Sequence, residues 1–246
     1  MTDPTPPVAI LCGGRGARLQ DHTRTIPKPL VEIGGLPIVW HVIRLYAQAG
    51  FRDFVLLTGY LGDQVEAFVA AHAWPEGVTV RCVDTGLDTP TGGRLHAAAD
   101  ALRPADGDGT GVFCATYADG VADVDLRALL AFHAAHDGAA TMTVVRPELQ
   151  FGITDLDGDD RVRGFREKPR SEHWVNGGFF VFDADVLDRL RPDHVLEHEP
   201  LEGLAADGRL RAYRHEGFWD CMDTYKDAVL LNDLWASGAP PWKTWS

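Results

Sequence analysis

Short apolar runs alternate with amphipathic stretches along the first 147 residues of the chain. The apolar runs have the length of buried strands, while the amphipathic stretches repeat their apolar positions as helices do. The predicted strands span residues 8–12, 54–58, 78–84, 112–117 and 141–145, and the predicted helices span residues 37–49, 63–73, 94–102 and 126–136. This alternation predicts an α/β fold with a doubly wound, mostly parallel, Rossmann-like sheet and right-handed crossovers.

The pattern changes after Pro147. Two extended stretches, residues 151–156 and 161–167, flank Asp157-Gly158-Asp159-Asp160, which is typical of a hairpin turn. Further strands are predicted at residues 177–182 and 210–215, with helices at residues 184–190, 201–207 and 225–237. We therefore expect the second half of the chain to be a mixed C-terminal extension of the same sheet, within a single domain that covers residues 1–246.

The composition is that of a globular protein with one core, since 45% of the 246 residues are hydrophobic and 24% are charged. The net charge of −13 repels a phosphate backbone, so we expect no nucleic acid partner. No signal sequence is recognisable, and no apolar run approaches the ~18 residues that span a bilayer, so we expect a cytoplasmic protein that does not bind membranes. The four cysteines include no C-x-x-C pair, which fits a reducing compartment.

A glycine-rich, cationic loop follows the first predicted strand. The 24 residues from Gly13 to Leu36 carry little helix or strand pattern, and structureless loops longer than ~12–15 residues are usually functional. The loop opens with Gly13-Gly14-Arg15-Gly16-Ala17-Arg18-Leu19, where glycines let backbone N–H groups approach an anion. Four basic side chains and one acidic side chain between Gly13 and Lys28 favour phosphate as the ligand, the alternative being a solvated turn with surface arginines.

Two better known phosphate-binding loops do not match this segment. A Walker loop requires Gly-Lys-Ser/Thr, which does not occur, and the dinucleotide fingerprint requires a third glycine where this chain has Leu19. The mismatch at Leu19 weakens the case for a nicotinamide-dependent oxidoreductase, which is the main rival class of enzyme.

An aspartate follows the predicted strand that ends at Tyr117. The sequence there reads Asp119-Gly120-Val121-Ala122-Asp123. Both Asp119 and the glycine-rich loop are expected at the carboxyl edge of the sheet, where open α/β sheets bind their ligands. A carboxylate beside a bound polyphosphate is a natural ligand of Mg²⁺. An Asp-Gly pair after a strand is also typical of a simple turn, and that alternative stays open.

Three later segments carry further candidate side chains. Residues 165–169 close a predicted strand, residues 175–178 precede another strand, and residues 218–224 precede the last predicted helix. Each has a structural alternative: Glu167-Lys168 can form a surface ion pair, and Asp223-Thr224 can cap the helix that follows.

Two metal-like patterns are set aside. The run His194-Val195-Leu196-Glu197-His198 matches the spacing of inverted zinc proteases, but Pro192 and Pro200 leave too little room for the helix that this spacing requires. The alternating aspartates at residues 155, 157 and 159 lack the glycine position and the distal glutamate of a calcium loop, so a hairpin turn is the better interpretation.

Taken together, these residues resemble the sequence pattern of sugar-1-phosphate nucleotidylyltransferases. The glycine-rich loop and Pro27-Lys28-Pro29 form the N-terminal part of that pattern. The closer resemblance is to glucose-1-phosphate cytidylyltransferases, and it extends from Val8 to Trp245. It rests on an ordered set of motifs: Val31-Glu32-Ile33-Gly34-Gly35, Trp40-His41, Asp84-Thr85-Gly86, Thr91-Gly92-Gly93-Arg94-Leu95, Asp119-Gly120-Val121-Ala122-Asp123, Glu167-Lys168-Pro169, Asn176-Gly177-Gly178-Phe179-Phe180, Met222-Asp223-Thr224 and Pro241-Trp242-Lys243-Thr244-Trp245.

The resemblance implies transfer of a nucleotidyl group from a nucleoside triphosphate to a sugar 1-phosphate, with release of pyrophosphate. The substrates it implies are CTP and a hexose 1-phosphate, with glucose 1-phosphate as the expected acceptor and Mg²⁺ as the cofactor. It also implies a homo-oligomer. Such an in-line displacement needs positioning and charge neutralisation more than a covalent nucleophile. The triphosphate is expected in the half at about residues 8–147, and the sugar phosphate in the half at about residues 148–246.

The resemblance also implies roles for individual residues. Arg18 would neutralise the departing pyrophosphate, Lys28 would reach the α-phosphate or its neighbours, and Asp119 and Asp223 would hold Mg²⁺, which makes these four the expected catalytic residues. The nucleotide is expected to bind at Leu11, Gly13, Gly14, Arg15 and Gly16, with Thr91, Gly92 and Gly93 lining the base pocket. The sugar phosphate is expected to bind at Gly152, Glu167, Lys168, Asn176 and Trp219.

The chain departs from the family pattern near the expected active site. Ala118 replaces a glycine, Ile153-Thr154 replaces a smaller and more apolar pair, and Asp220-Cys221 replaces a Gln-Pro. Asp220 adds a carboxylate beside the expected sugar pocket, so another sugar 1-phosphate stays open as an alternative, as does UTP or dTTP in place of CTP. A non-catalytic nucleotide-sugar sensor is a further alternative, which the presence of Lys28 and both aspartates disfavours.

Overall fold

A seven-stranded sheet forms the centre of the computed structural model, which describes residues 5–16, 25–103 and 111–245. The strands are β1 (Val8–Leu11), β2 (Glu32–Ile33), β3 (Leu36–Pro37), β4 (Asp53–Thr58), β5 (Thr79–Asp84), β6 (Val112–Tyr117), β7 (Gly120–Ala122), β8 (Ala140–Val145), β9 (Ile153–Leu156), β10 (Val162–Arg166), β11 (Val175–Asp183), β12 (Leu210–Arg214) and β13 (Trp219–Cys221). The helices are α1 (Ile38–Gln48), α2 (Gly62–Ala71), α3 (Thr91–Ala97), α4 (Ala99–Leu102), α5 (Leu126–Ala134), α6 (Glu199–Ala206) and α7 (Tyr225–Ala236). Among the described residues, 3-10 turns lie at Lys28–Leu30 and Ala184–Arg189.

The strand order in the central sheet is β12-β8-β11-β6-β1-β4-β5. β1 pairs in parallel with β4 and β6, β4 with β5, and β8 with β12, whereas β11 runs antiparallel to both β6 and β8. The predicted α/β fold with a mostly parallel sheet is therefore confirmed. Strands from both sides of residue 147 interleave in this one sheet.

Two apolar cores cover the two faces of the sheet. Side chains alternate along β1, so that Val8 and Ile10 belong to the core under α1, α2 and α5, while Ala9 belongs to the core under α3, α4 and α6. A third cluster packs the C-terminal residues Trp242 and Trp245 against α1 and α7. Helices on both faces leave the carboxyl edge of the parallel strands as the place where loops meet. No helix in the described ranges is long and apolar enough to cross a membrane.

The structure corrects the predictions at two helical segments. The stretch predicted as a helix at residues 184–190 is the 3-10 turn Ala184–Arg189, because so short a segment with Pro192 close behind it does not stabilise an α-helix. The helix predicted at residues 94–102 begins at Thr91 and breaks at Ala98 into α3 and α4. The N–H of Arg94 donates to the carbonyl of Pro90 over 2.9 Å, which closes the first turn of α3 around Gly92 and Gly93.

The mixed extension was predicted only in part. β8, β11 and β12 extend the central sheet, but β9 and β10 form a separate two-stranded sheet, as do β7 with β13 and β2 with β3. Most residues of β9 and β10 are exposed, because this hairpin lacks the continuous apolar run that a strand covered on both faces needs. The predicted structureless segment at residues 13–36 contains the 3-10 turn at Lys28–Leu30 and the β2-β3 hairpin, which are too short to leave a periodic pattern.

Candidate active site

Lys28 lies between two carboxylates at the carboxyl edge of the central sheet. Its Nζ donates hydrogen bonds to Asp119 Oδ2 and, over 2.8 Å, to Asp223 Oδ1. The Lys28 side chain is 14% exposed. Burial by itself lowers the pKa of Lys28, but the two carboxylates outweigh this effect, so its pKa lies above the ordinary value. Two acids that are distant in sequence therefore converge on one cationic group.

Backbone hydrogen bonds explain why the two aspartates meet. Asp119 follows β6, and its carbonyl oxygen accepts a hydrogen bond of 2.9 Å from the N–H of Met222. Gly120 pairs with Cys221 in the small β7-β13 sheet, which aligns the two loops. Asp223 consequently emerges beside Asp119.

The cap of α7 is made by Thr224 and Asp227 and not by the Asp223 carboxylate. Thr224 and Asp227 form a capping box, in which Thr224 Oγ1 accepts from the N–H of Asp227 over 3.3 Å and the Asp227 carboxylate accepts from the N–H of Thr224 over 2.7 Å. The cap predicted for Asp223-Thr224 thus belongs to Thr224, while Asp223 faces Lys28.

The backbone that carries Lys28 is restrained by its neighbours. Pro27 and Pro29 flank it, and the N–H groups of Leu30 and Val31 close the 3-10 turn onto the carbonyls of Pro27 and Lys28 at 2.8 and 3.1 Å. Proline fixes φ, so the base of the Lys28 side chain loses little further freedom when it is ordered.

The glycine-rich loop is held by Arg94, whose role the sequence pattern does not predict. Arg94 is 4% exposed, and its Nη2 donates to the carbonyl of Gly13 over 2.9 Å while Nη1 donates to the carbonyl of Thr58 over 2.8 Å. A Cβ atom at Gly13 would lie 2.0 Å from Arg94 Nη1, so this position requires glycine. An arginine inside the otherwise apolar start of α3 was the signal available for this residue.

Arg94 also places a buried charge at the site. Within the described residues, its hydrogen bonds all go to uncharged oxygens, namely those of Gly13, Thr58, Thr85, Gly86 and Leu87. Burial lowers the pKa of Arg94, as expected for a guanidinium that lacks a contacting carboxylate. A cation held in this way favours an anion in front of it.

A cavity of about 500 Å³ collects most of the predicted nucleotide and catalytic residues. This central cavity is lined by Leu11, Cys12, Gly13, Gly14, Gly16, Lys28, Pro29, Thr89, Pro90, Thr91, Arg94, Tyr117, Ala118, Asp119 and Asp223. A Cβ atom at Gly14 would meet nothing within 4 Å, which leaves that stretch of backbone open to a ligand. Arg15 is not a lining residue, because its exposed guanidinium pairs with Asp88 at 2.9 Å. Arg18 lies outside the described residues.

Gly92 and Gly93 lie behind the wall of the central cavity rather than on it. The N–H of Gly93 donates to the carbonyl of His194 over 3.0 Å, and a Cβ atom there would lie 2.1 Å from the carbonyl oxygen of Pro192. These glycines let α3 approach the segment at residues 192–194. Their contact with a base stays a prediction.

An adjoining cavity of about 420 Å³ contains two of the predicted sugar-binding residues. It is lined by Thr116, Tyr117, Asp119, Gly120, Asn176, Gly177, Trp219, Cys221 and Asp223. Tyr117, Asp119 and Asp223 line both this cavity and the central one. The Trp219 ring is fixed by a hydrogen bond of 2.8 Å from Nε1 to the carbonyl of Gly177. The two cavities therefore meet at the aspartates.

The other predicted sugar-binding residues lie on or next to the β9-β10 hairpin and line neither of these cavities. A Cβ atom at Gly152 would lie 2.9 Å from Glu167 Oε2, so Gly152 and Glu167 are neighbours. Lys168 is exposed and lines a third, lateral cavity of about 580 Å³, whose wall includes Asp220 and Lys226. The structure thus groups Asn176 with Trp219, and Gly152 with Glu167, as two separate sets.

The donor set at the aspartates suits a hard cation shared with a ligand. Among the described residues, no group of three or more His, Cys, Asp or Glu side chains could hold a metal ion. Asp119 and Asp223 supply carboxylate oxygens that converge on one cation, the Lys28 ammonium. One or two carboxylates completed by phosphate oxygens is the set that Mg²⁺ ordinarily takes in nucleotide enzymes, so these residues fit Mg²⁺ together with a triphosphate.

Comparison with known proteins gives consistent matches over nearly the whole chain. The family model described as nucleotidyl transferase matches residues 8–218. Glucose-1-phosphate cytidylyltransferases from Salmonella typhi and Salmonella typhimurium are each 40% identical over 258 aligned residues, covering 96% of this chain and 98% of theirs. The crystal structure of HddC from Yersinia pseudotuberculosis superposes with a TM-score of 0.72 at 19% identity, covering 94% of this chain and 100% of that one.

Proposed function

The chain belongs to the nucleotidyl transferase family, and on this premise we propose that it transfers a cytidylyl group from CTP to a hexose 1-phosphate, with glucose 1-phosphate as the preferred acceptor. The products are CDP-hexose and pyrophosphate. The observation that carries this proposal is the convergence of Lys28, Asp119 and Asp223 where the two cavities meet. CTP as the donor is supported by relatives of 40% identity that are named glucose-1-phosphate cytidylyltransferases.

Each substrate has a place of suitable chemistry. The open backbone at Gly14 and the buried guanidinium of Arg94 suit the triphosphate, because N–H donors and a fixed cation stabilise phosphate oxygens. Asn176 and the Trp219 ring suit a hexose, which presents hydroxyl groups and an apolar ring face. The acceptor phosphate would then lie toward the shared wall at Asp119.

The chain's own groups supply positioning and charge. Lys28 donates to the α-phosphate, where negative charge develops as the acceptor oxygen attacks. Asp119 and Asp223 would hold Mg²⁺, which would neutralise charge on the triphosphate. No general base is required, since the phosphate oxygen of the acceptor is already ionised at neutral pH. Catalysis therefore depends on the orientation of the two substrates and on preorganised charge.

Release of pyrophosphate from each of four nucleoside triphosphates tests the proposal. The protein is incubated with glucose 1-phosphate, Mg²⁺ and CTP, UTP, dTTP or GTP, and initial rates are compared with reactions that lack the sugar phosphate. We expect kcat/KM for CTP to exceed that for the others by roughly tenfold or more, as one or two base contacts allow. Release without the sugar phosphate, or a preference for another triphosphate, would contradict the assignment.

A panel of acceptors tests the sugar separately. Glucose, galactose, mannose and N-acetylglucosamine 1-phosphates differ at positions that Asn176 and Trp219 would contact. We expect glucose 1-phosphate to give the highest kcat/KM with CTP. Preference for a different hexose 1-phosphate would contradict only the assignment of glucose 1-phosphate as the acceptor. The proposed cytidylyl transfer would still stand.

A further inference from the structure

One carboxylate joins the walls of the two cavities without lining either. Glu197, in the segment before α6, accepts a hydrogen bond of 2.7 Å from Thr91 Oγ1 at Oε2 and one of 2.5 Å from the Tyr117 hydroxyl at Oε1. Thr91 lines the central cavity, and Tyr117 lines both cavities. The Tyr117 oxygen in turn accepts from Asn176 Nδ2 over 3.0 Å, and Asn176 lines the adjoining cavity. A continuous hydrogen-bonded network of side chains therefore connects one cavity with the other.

Backbone N–H groups bond to this network of side chains at both of its ends. The N–H of Leu196 donates to Thr91 Oγ1 over 2.9 Å, and the N–H of Gly178 donates to Asn176 Oδ1 over 2.9 Å. A backbone N–H can only donate, so the Asn176 amide must present its NH₂ group to Tyr117. Thr91 and Tyr117 each already accept one bond, and both direct their own hydrogen to Glu197. The Glu197 carboxylate accepts both of these hydrogen bonds.

We propose that Glu197 is a positioning residue that sets the hydroxyl groups of Thr91 and Tyr117 and thereby aligns the nucleotide and sugar-phosphate subsites with each other. The identity of the two ligands rests on the proposed function, but the network does not. Because both hydrogens point at Glu197, the two hydroxyl oxygens can only accept from a ligand group. The hydroxyl oxygens of Thr91 and Tyr117 therefore offer a substrate only hydrogen-bond acceptors. The Asn176 amide is held in one orientation.

The Glu197 carboxylate offers one acceptor oxygen to each of the two hydroxyls. A glutamine at position 197 keeps the size of the side chain but offers one acceptor oxygen and an NH₂ group, so one hydroxyl hydrogen loses its acceptor and turns elsewhere. An aspartate is shorter by one methylene group and cannot reach both hydroxyls. Glu197→Gln is therefore a test that changes hydrogen bonding with little change in volume.

The experiment measures kcat and both KM values for the full-length wild-type protein and for Glu197→Gln. We expect the KM for CTP and the KM for glucose 1-phosphate each to rise about tenfold, the effect of one lost hydrogen bond per subsite, while kcat falls less. Thr91→Val should raise the KM for CTP alone, since it removes only the hydrogen bond from Thr91 to Glu197. Combining Thr91→Val with Glu197→Gln should add little to the KM for CTP, because both changes break the same bond.

Glu199→Gln is the matched control, because Glu199 is exposed and lies only two residues further on, at the first residue of α6. We expect wild-type KM values for this variant. Thermal unfolding of every variant separates positioning from a role in folding. A Glu197→Gln protein with a lowered midpoint but wild-type KM values would overturn the proposal, as would a rise confined to one substrate.

The inference and the proposed function fail in different ways. If wild-type protein prefers another triphosphate or hexose phosphate, the same variants are measured with those substrates, and the paired rise in KM is still expected. If wild-type protein releases no pyrophosphate with any pair, calorimetric titration with CTP and with glucose 1-phosphate replaces the kinetics. Equal affinities for wild-type and Glu197→Gln protein, or no measurable affinity for either ligand in the wild type, would then overturn the inference.

Discussion

The nucleotide side and the sugar side of the candidate site are built in different ways. On the nucleotide side, the loops after β1, β4, β5 and β6 lie side by side because parallel strands set them there, and the buried guanidinium of Arg94 joins three of these loops. On the sugar side, Asn176 and Trp219 lie on strands β11 and β13, but Gly152, Glu167 and Lys168 flank the β9-β10 hairpin, which is outside the central sheet. Phe165 in this hairpin is 62% exposed, and Phe151 just before it is 79% exposed.

This difference separates preorganised groups from groups that the fold holds loosely. Lys28 has two charged partners and a proline-flanked backbone, so its position costs little further order when a substrate binds. Lys168 is exposed and has a positive φ of 44°. We therefore expect the nucleotide side to act on the transition state and the hairpin to act on binding of the acceptor.

Lys28→Ala tests the preorganised side most directly. We expect kcat to fall by roughly 10²–10³, as when one preorganised donor to a developing anion is removed. The folded state should persist, because Lys28 lies at the edge of the sheet and outside both apolar cores. Pyrophosphate release and thermal unfolding measure the two effects. Lys243→Ala, which removes an exposed lysine of the C-terminal tail, should turn over normally. Near-normal turnover of Lys28→Ala itself would count against the role assigned to Lys28.

Asp223→Asn tests whether the converging carboxylates hold a metal. We expect the Mg²⁺ concentration for half-maximal activity to rise about tenfold or more, since one of two anionic ligands becomes a neutral amide. A Mg²⁺ titration of activity measures this directly, with Asp233→Asn on the exposed side of α7 as the control. An unchanged titration would assign Asp223 to holding Lys28 in place and not to the metal.

Lys168→Ala tests the sugar side of the site, next to the exposed β9-β10 hairpin. We expect the KM for the sugar 1-phosphate to rise about tenfold, the effect of one contact from an exposed cation to phosphate, with the KM for CTP within about twofold of wild type. Lys226→Ala removes another lysine of the lateral cavity and serves as the control. A loss of kcat as large as that in Lys28→Ala would abolish the distinction between the two sides.

The same contrast explains what could be predicted from sequence. Strands and helices of the parallel sheet were predicted well, because buried apolar runs leave a clear pattern and the topology then brings Gly13 and Asp119 to one edge. That Asp223 joins them follows from β7 and β13, three-residue strands whose pairing has no periodic signal. Arg94 was missed because its acceptors are backbone carbonyls of other loops. Glu197 was noticed only within a zinc-like spacing, since its partners are 106 and 80 residues away in sequence.

Asp220→Asn tests the lateral cavity, whose lining includes Asp220 but not Lys28, Asp119 or Asp223. Burial raises the pKa of Asp220 to about 6, and the hydrogen bond from the N–H of Cys221 opposes this only in part. Because the folded-state pKa is raised above the ordinary value of 3.8, the folded chain keeps a proton that the unfolded chain releases, and stability falls as the pH rises through about 6. Removing the charge should therefore stabilise the protein only above that range.

The expected gain in the free energy of unfolding for Asp220→Asn is about 1 kcal/mol near neutral pH, once partial solvent screening is allowed for, and close to zero near pH 4. Urea unfolding at several pH values measures it, with Asp193→Asn as an exposed control whose difference from wild type should not vary with pH. A gain that is the same at all pH values would mean that the aspartate is already charged without cost in the folded state. In that case Asp220 would be as well solvated as the exposed residues of the neighbouring β9-β10 hairpin. Asp220 would then belong, like the hairpin, to the part of the site that the fold does not preorganise.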